Sequence, residues 1–156
     1  MVMKKTFFVI ILFVLSLATA NAASIHLYRG NSTYSSDILY SWDGHYVYRG
    51  NSTYSSDILA SWDGRNLYRG RSNYSSDILY TWDGTHLYHG RSTYSSDILY
   101  TWDGKCLYNG RSTYSSDVVV TIVNNRVYNG RSTYSSDILF RFDAFIPIPV
   151  LIFMLR

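Results

Sequence analysis

Apolar and polar positions recur along this chain with a fixed period of 20 residues. The unit YRGNSTYSSDILYSWDG, residues 28–44, is the first of six copies, whose leading tyrosines are Tyr28, Tyr48, Tyr68, Tyr88, Tyr108 and Tyr128. A unit this short cannot bury its own apolar face, so neighbouring copies must pack on one another. The pattern therefore predicts a single repeat architecture that ends at Asp143.

Each copy contains two short extended runs separated by Asp-Gly. Residues 37–42 are rich in β-forming types, and residues 45–48 form the second run. Asp-Gly between two such runs favours a type I′ hairpin, because both central positions of that turn require positive φ. Hairpins are predicted at 37–50, 57–70, 77–90, 97–110 and 117–130, the last of them turning on Asn124-Asn125.

A two-residue turn at Asp43-Gly44 would fix the register of the first hairpin. Trp42 would pair with His45, Tyr40 with Val47, and Ile38 with Arg49. One face of the hairpin would then carry Ile38, Tyr40, Trp42 and Val47, and the other Leu39, Ser41, Tyr46 and Tyr48. The first face is the more apolar, so we expect it to line the core.

The segment between hairpins, Gly-Asn/Arg-Ser-Thr-Tyr-Ser-Ser, is typical of a loop. Tyr34 and its equivalents would tuck this linker against the sheet. Asp37 and its equivalents would accept hydrogen bonds from loop amides, as in Asx turns. Most linker positions are the same in all six copies, which predicts one demanding backbone conformation.

Five hairpins leave a single strand at each end, residues 25–30 and 137–143, and these are the two halves of the same unit. Paired together, they make a sixth hairpin and close the ring, which removes exposed sheet edges. The predicted fold is therefore an all-β closed ring or shallow barrel of six hairpins, about twelve short strands. Intramolecular closure also predicts a monomer.

Residues 1–22 are typical of a secretory signal peptide. Lys4 and Lys5 precede an apolar run from 7 to 17, and Ala20-Asn21-Ala22 forms a small-residue cleavage site. An uncleaved anchor is the weaker alternative, because the run is shorter than the roughly 20 residues that span a bilayer. We expect export to the periplasm, cell envelope or exterior, with the six-repeat domain at 23–144.

Residues 145–156 form an apolar tail that ends in one charge. Extended, it would reach about 35 Å, enough to thread a short barrel, and its two prolines argue against a regular helix before Val150. The first interpretation is a plug in the barrel centre, and the second is membrane insertion. The candidate plug residues are Ile146, Ile148, Val150, Leu151, Ile152 and Phe153.

These features resemble the β-flower proteins, specifically the four-fold β-flower domain. The similar residues are Ser92 to Gly110, which match STYSSDILYTWDGxxxYxG, and the tail, which matches IPxPVLxFxL. The resemblance implies a shallow barrel of petal-like hairpins around an apolar centre, and it brings no biochemical activity with it. Six copies stand here, a departure that suggests a wider ring or closure on a subset.

Charge and composition exclude several classes of function. Without Lys4 and Lys5 the chain has 12 basic and 11 acidic residues. A nucleic-acid-binding protein would have a clear excess of basic residues, so this class of function is excluded. Serine and aspartate recur as a loop scaffold, and the four histidines are irregularly placed, so neither a catalytic constellation nor a metal site stands out. The single cysteine, Cys106, occupies a variable repeat position. We expect no enzyme, no metal and no cofactor.

Four tryptophans each precede an Asp-Gly turn: Trp42, Trp62, Trp82 and Trp102. In a closed ring they gather at one rim, either as an interfacial belt or, in the favoured interpretation, folded inward to cap the core. The first functional hypothesis is a structural or binding module of the cell envelope with an unknown ligand. A membrane-associated lipid-sensing or lipid-handling barrel is the alternative, and an envelope hydrolase comes third.

Overall fold

The computed structural model describes residues 23–156. Its strands form one closed antiparallel barrel in which each strand pairs with its neighbours in sequence and β12 pairs with β1. The twelve strands are β1 Ile25–Arg29, β2 Ile38–Trp42, β3 Tyr46–Arg49, β4 Ile58–Trp62, β5 Asn66–Arg69, β6 Ile78–Trp82, β7 His86–His89, β8 Ile98–Trp102, β9 Cys106–Asn109, β10 Val118–Val123, β11 Arg126–Asn129 and β12 Ile138–Phe142. The predicted ring of six hairpins is confirmed.

The predicted register within the hairpins is wrong by two residues. Trp42 lies opposite Val47, and Tyr40 lies opposite Arg49. The reason is that Asp43 does not occupy a central turn position: its Oδ1 accepts the N–H groups of the next two non-glycine residues, at 2.8 and 2.6 Å. Gly44, with φ of 100°, therefore begins the turn. The fifth hairpin turns on Asn124 and Asn125 as predicted, both with positive φ.

A slip of two residues leaves each side chain on its own face of the sheet, so most of the face prediction holds. Trp42 and Val47 belong to the core, and Tyr40 packs against it. Ile38 is the exception, because a β-bulge makes the following residue, Leu39, the extra one between the pairs Leu27–Tyr40 and Tyr28–Ile38. In two other repeats the residues equivalent to Leu39, Leu79 and Leu99, pack against the core in place of the isoleucine.

The tail enters the barrel and forms one short helix, α1, at Ile148–Met154. The prediction of an extended plug is wrong in conformation, because Pro149 lies in the first turn, where its missing N–H would have had no helical partner. A helix of this length spans about 10 Å. Its core position agrees with the predicted apolar plug. In residues 23–156, no helix combines the length and apolar character needed to cross a membrane.

The linkers fold back over the outer face of the barrel. In the first hairpin, Ser41 on the outer face donates to the carbonyl of Gly50 at 2.7 Å. Farther round the ring, Arg126 Nε donates to Asn31 Oδ1 at 3.0 Å, although the two residues are remote in sequence. Each linker contains one 3-10 turn: Ser35–Asp37, Ser55–Asp57, Ser75–Asp77, Ser95–Asp97, Ser115–Asp117 and Ser135–Asp137. The six linkers thus form petals around the strands.

Candidate functional site

Six tyrosines, one on each linker, stand exposed on the outside of the barrel. Their exposed fractions run from 72% for Tyr74 to 77% for Tyr114. We name this set the tyrosine perimeter: Tyr34, Tyr54, Tyr74, Tyr94, Tyr114 and Tyr134. The prediction that Tyr34 tucks the linker against the sheet is wrong. The linker is held instead by polar contacts of the residues that flank this tyrosine in sequence.

Those polar contacts involve the serine and aspartate that flank each perimeter tyrosine. Ser32 Oγ donates to Asp37 Oδ2 at 2.5 Å and accepts the Tyr34 backbone N–H at 3.1 Å. The Asp37 N–H then donates to the Tyr34 carbonyl at 3.0 Å, which closes the 3-10 turn. The predicted hydrogen bonds from loop amides to the Asp37 carboxylate are therefore wrong, because the Ser32 hydroxyl is the donor. The backbone of each tyrosine is therefore fixed while its ring is free.

The perimeter rings have polar surroundings and no internal partner. The neighbouring hydroxyl residues Thr33, Ser35 and Ser36 are exposed. Within the described residues, none of the six phenol groups donates or accepts a hydrogen bond and none of the six rings stacks on another aromatic ring. Four of the linkers add an exposed arginine three residues earlier: Arg71, Arg91, Arg111 and Arg131. The perimeter thus offers aromatic faces beside hydroxyl and guanidinium donors.

A second set of tyrosines has the opposite environment. Tyr48 is buried on the outer face of its strand, and its hydroxyl donates to Asp43 Oδ2 at 2.7 Å. Burial, together with this hydrogen bond and the negative charge of Asp43, raises the pKa of Tyr48 to about 12. At Tyr108 the hydrogen bond to Asp103 is the main cause, and the pKa is again raised to about 12.

The turn carboxylates respond in the complementary direction. Burial opposes ionisation of Asp63, Asp83 and Asp103, yet bonds from backbone N–H groups and a tyrosine hydroxyl outweigh it, so the pKa of each carboxyl is lowered. Asp83, for example, accepts the N–H groups of Thr85 and His86 at 2.8 and 2.6 Å. These carboxylates therefore stabilise the turns, and their oxygens already accept hydrogen bonds that a ligand would have to replace.

The same arrangement joins the two ends of the barrel chain. Asp143 Oδ2 accepts the His26 N–H and the Tyr28 hydroxyl, each at 3.2 Å. The contact reproduces the Asp43–Tyr48 pair across the closure between β1 and β12. The fifth hairpin lacks it, because Val123 stands where the other hairpins have aspartate. Tyr128 consequently has no carboxylate acceptor among the described residues.

The tryptophans lie at the turn-bearing end, where the tail enters the barrel. Trp42 and Trp62 are buried, and Trp82 and Trp102 are half-buried against the core. Of the tail, Ile146, Val150, Leu151 and Ile152 are buried, whereas Ile148 and Phe153 are half-buried and pack against the core. Phe145 is the outlier at this end, with 76% of its surface exposed.

Two imidazole–carboxylate contacts are the nearest approach to catalytic geometry. His26 Nδ1 lies 3.0 Å from Asp143 Oδ2, and His86 Nδ1 lies 3.1 Å from Asp83 Oδ2. In residues 23–156, neither imidazole bonds a hydroxyl or a thiol, so no activated nucleophile is assembled. The same range contains no group of three or more histidine, cysteine or acidic residues able to hold a metal ion.

The closed ring of hairpins, the repeated linkers and the apolar plug define a small β-repeat barrel protein. The family model described as 6-fold beta flower protein matches residues 27–151, so the chain belongs to that family. The six-fold description corrects the four-fold resemblance and agrees with the six copies in the chain. No curated protein matches this sequence. No solved structure matches it either.

Proposed function

We propose that this chain is an exported, non-enzymatic binding module of the cell envelope, and that the tyrosine perimeter is its contact surface. The observation that carries the proposal is six tyrosine rings, each more than two-thirds exposed, on linkers whose backbone is fixed by hydrogen bonds. Tyrosine supplies a large contact area with few rotatable bonds, so little conformational entropy is lost on binding.

Differences among the repeats support a role outside the chain. The strand position of Tyr46 holds Asn66, His86, Cys106 and Arg126 in other copies. The perimeter position holds tyrosine in all six, although among the described residues its phenol group makes no hydrogen bond and its ring stacks on no aromatic ring. A residue that recurs without an internal contact is best explained by contact with something else.

The composition and number of the linkers also favour recognition. Tyrosine beside serine, glycine, asparagine and arginine is the combination that binding loops use for contact area and adaptable hydrogen bonds. Six equivalent rings on one closed barrel would engage a repeated or extended surface several times, and linked weak contacts raise the overall affinity. A structural polymer or protein layer of the envelope fits this requirement.

The export part of the proposal rests on residues 1–22, which lie outside the described residues. The charged start, apolar run and Ala20-Asn21-Ala22 site indicate a cleaved leader. A mature chain near neutrality, with 12 basic and 11 acidic residues, also favours recognition by aromatic and hydroxyl groups over bulk charge.

The test is fractionation of bacterial cells that express the full chain. We expect the mature protein to begin near Ala23 and to sediment with the cell envelope. Changing all six perimeter tyrosines to serine should release it into the soluble exported fraction, whereas changing them to phenylalanine should retain most of the binding. Full retention of the serine variant would refute the contact surface, and cytoplasmic protein with an intact leader would refute export.

A membrane-associated barrel is the second candidate, and the exposed ring of Phe145 favours it. Phe145 lies beside the half-buried Trp102 at the turn-bearing end, where an aromatic pair suits the boundary between water and lipid. Lipid vesicles should then blue-shift the tryptophan emission, and Phe145→Ser should abolish the shift. Emission that is already blue, quencher-resistant and indifferent to vesicles would exclude this candidate.

A further inference from the structure

The end of the barrel at which α1 terminates carries a set of side chains that the proposed function does not use. One exposed residue from each hairpin ends its strand there: Arg29, Arg49, Arg69, His89, Asn109 and Asn129. Each lies directly opposite a position of the inner face; for example, Arg49 pairs with Tyr40 and Arg29 with Phe140. Directly opposed residues project to the same face of a sheet, so these side chains start on the inside of the barrel. We name this end the mouth.

The mouth is chemically asymmetric. Its three arginines lie on β1, β3 and β5, so one half of the ring is cationic and the other half carries histidine and asparagine. Arg156 adds a fourth guanidinium, which lies 5.1 Å from the centre of the Tyr80 ring and 5.9 Å from that of Tyr100. Within residues 23–156, no aspartate carboxylate forms an ion pair with any of these arginines.

A pocket of about 480 Å³ lies at the mouth beside two of these arginines. Its apolar lining includes Leu59, Phe140, Met154 and Leu155, and Arg49 and Arg156 stand among them. A second pocket of about 250 Å³ shares Phe140, Leu155 and Arg156 with the first. We name these two adjoining pockets, which meet beside the end of α1, the groove. The first pocket has the size of typical small-molecule sites, roughly 300 to 1,000 Å³.

We propose that the mouth binds a single-chain anionic amphiphile, with its alkyl chain in the groove and its phosphate or carboxylate group on Arg49 and Arg156. Apolar surface alone would accept any hydrocarbon, and guanidinium alone would accept any anion. The juxtaposition of the two selects a molecule that has both parts, because charge-assisted bonds to a guanidinium fix the head group while burial holds the chain. This site is separate from the tyrosine perimeter and does not depend on its function.

The test uses the purified chain and dodecyl phosphate below its micelle concentration, with binding measured by titration calorimetry. We expect saturable binding of about one molecule per chain that weakens with added salt. Arg49→Gln and Arg156→Gln should each weaken it by about tenfold or more. Arg65→Gln is the matched control, because it removes the same charge from an exposed turn residue at the opposite end of the barrel, and it should change the affinity by less than about twofold.

Three further ligands separate this proposal from its competitors. Inorganic phosphate that binds as tightly as dodecyl phosphate would show a simple anion site and overturn the proposal. Dodecyl maltoside that binds as tightly would show an unselective apolar groove and overturn it as well. Binding only to phosphatidylglycerol vesicles, with none to the monomeric amphiphile, would assign the arginines to a membrane surface instead. Unchanged affinity in both arginine variants would also refute the assignment.

Discussion

Each repeat holds a tyrosine at the same strand position and another on its linker, and the two differ in environment. Tyr48 on β3 is buried, and its hydroxyl is bound to Asp43. Tyr34 on the linker is 74% exposed, and only its backbone is held. Recurrence within the chain is equally strict at both positions, so recurrence alone does not distinguish a structural tyrosine from one available for contact. The hydrogen-bond partner and the exposed fraction do.

The largest expected contrast is between the interior and the perimeter. Leu151 of α1 is buried within the barrel core. Leu151→Ala should lower the free energy of unfolding by about 2 to 5 kcal/mol, because it removes buried apolar atoms and leaves a cavity. Tyr34→Ser should change it by less than about 0.5 kcal/mol, as exposed substitutions usually do. Urea denaturation of the two variants measures both values, and a large loss for Tyr34→Ser would contradict the comparison.

A smaller effect is expected from removing one hydroxyl at the turn. Tyr48→Phe should cost about 1 kcal/mol in the free energy of unfolding, because the Asp43 carboxylate loses a donor. Tyr128→Phe is the matched control, because Val123 replaces the acceptor in that hairpin, and its cost should be close to zero. Equal effects in urea denaturation would show that the turn carboxylates do not stabilise through tyrosine.

The last effect is confined to alkaline solution. The pKa of Tyr48 and of Tyr108 is raised to about 12, whereas a tyrosine in the unfolded chain ionises near pH 10. The folded state therefore holds these protons more tightly, so their contribution is complete below about pH 10 and is lost as the pH rises towards 12. Denaturation between about pH 9 and 11 should show falling stability, and a weaker fall in the double phenylalanine variant.

Closure of the barrel can be predicted from the sequence because it follows from the 20-residue repeat. The two unpaired strands are halves of one unit, and pairing them leaves no free edge. The register of the hairpins could not be predicted in the same way. The Asp43 side chain accepts the N–H groups of His45 and Tyr46, which moves Asp43 out of the central turn position that the Asp-Gly pattern predicts. The helix of the tail does not follow from the sequence either. Two prolines argue against a helix, and Pro149 is tolerated only because it lies in the first turn, where its missing N–H has no helical partner.

The candidate site was the part that sequence reasoning placed least well. The sequence predicts Tyr34 against the sheet, since an aromatic ring in a loop usually packs. The signal that could have corrected this lies in the flanking residues, because Ser32 and Asp37 satisfy each other and leave the ring nothing to support. The inward direction of Arg49 already follows from its predicted pairing with Ile38, because a slip of two residues keeps each side chain on its own face. Its place beside the end of α1 does not follow from the repeat.

The most direct test of the central claim compares stability and envelope binding in one variant. All six perimeter tyrosines are changed to serine, and the purified protein is examined by thermal unfolding and by sedimentation with isolated envelopes. The account predicts a melting temperature close to that of the original chain together with a loss of most of the bound fraction. A strongly lowered melting temperature, or a bound fraction equal to that of the original chain, would contradict it.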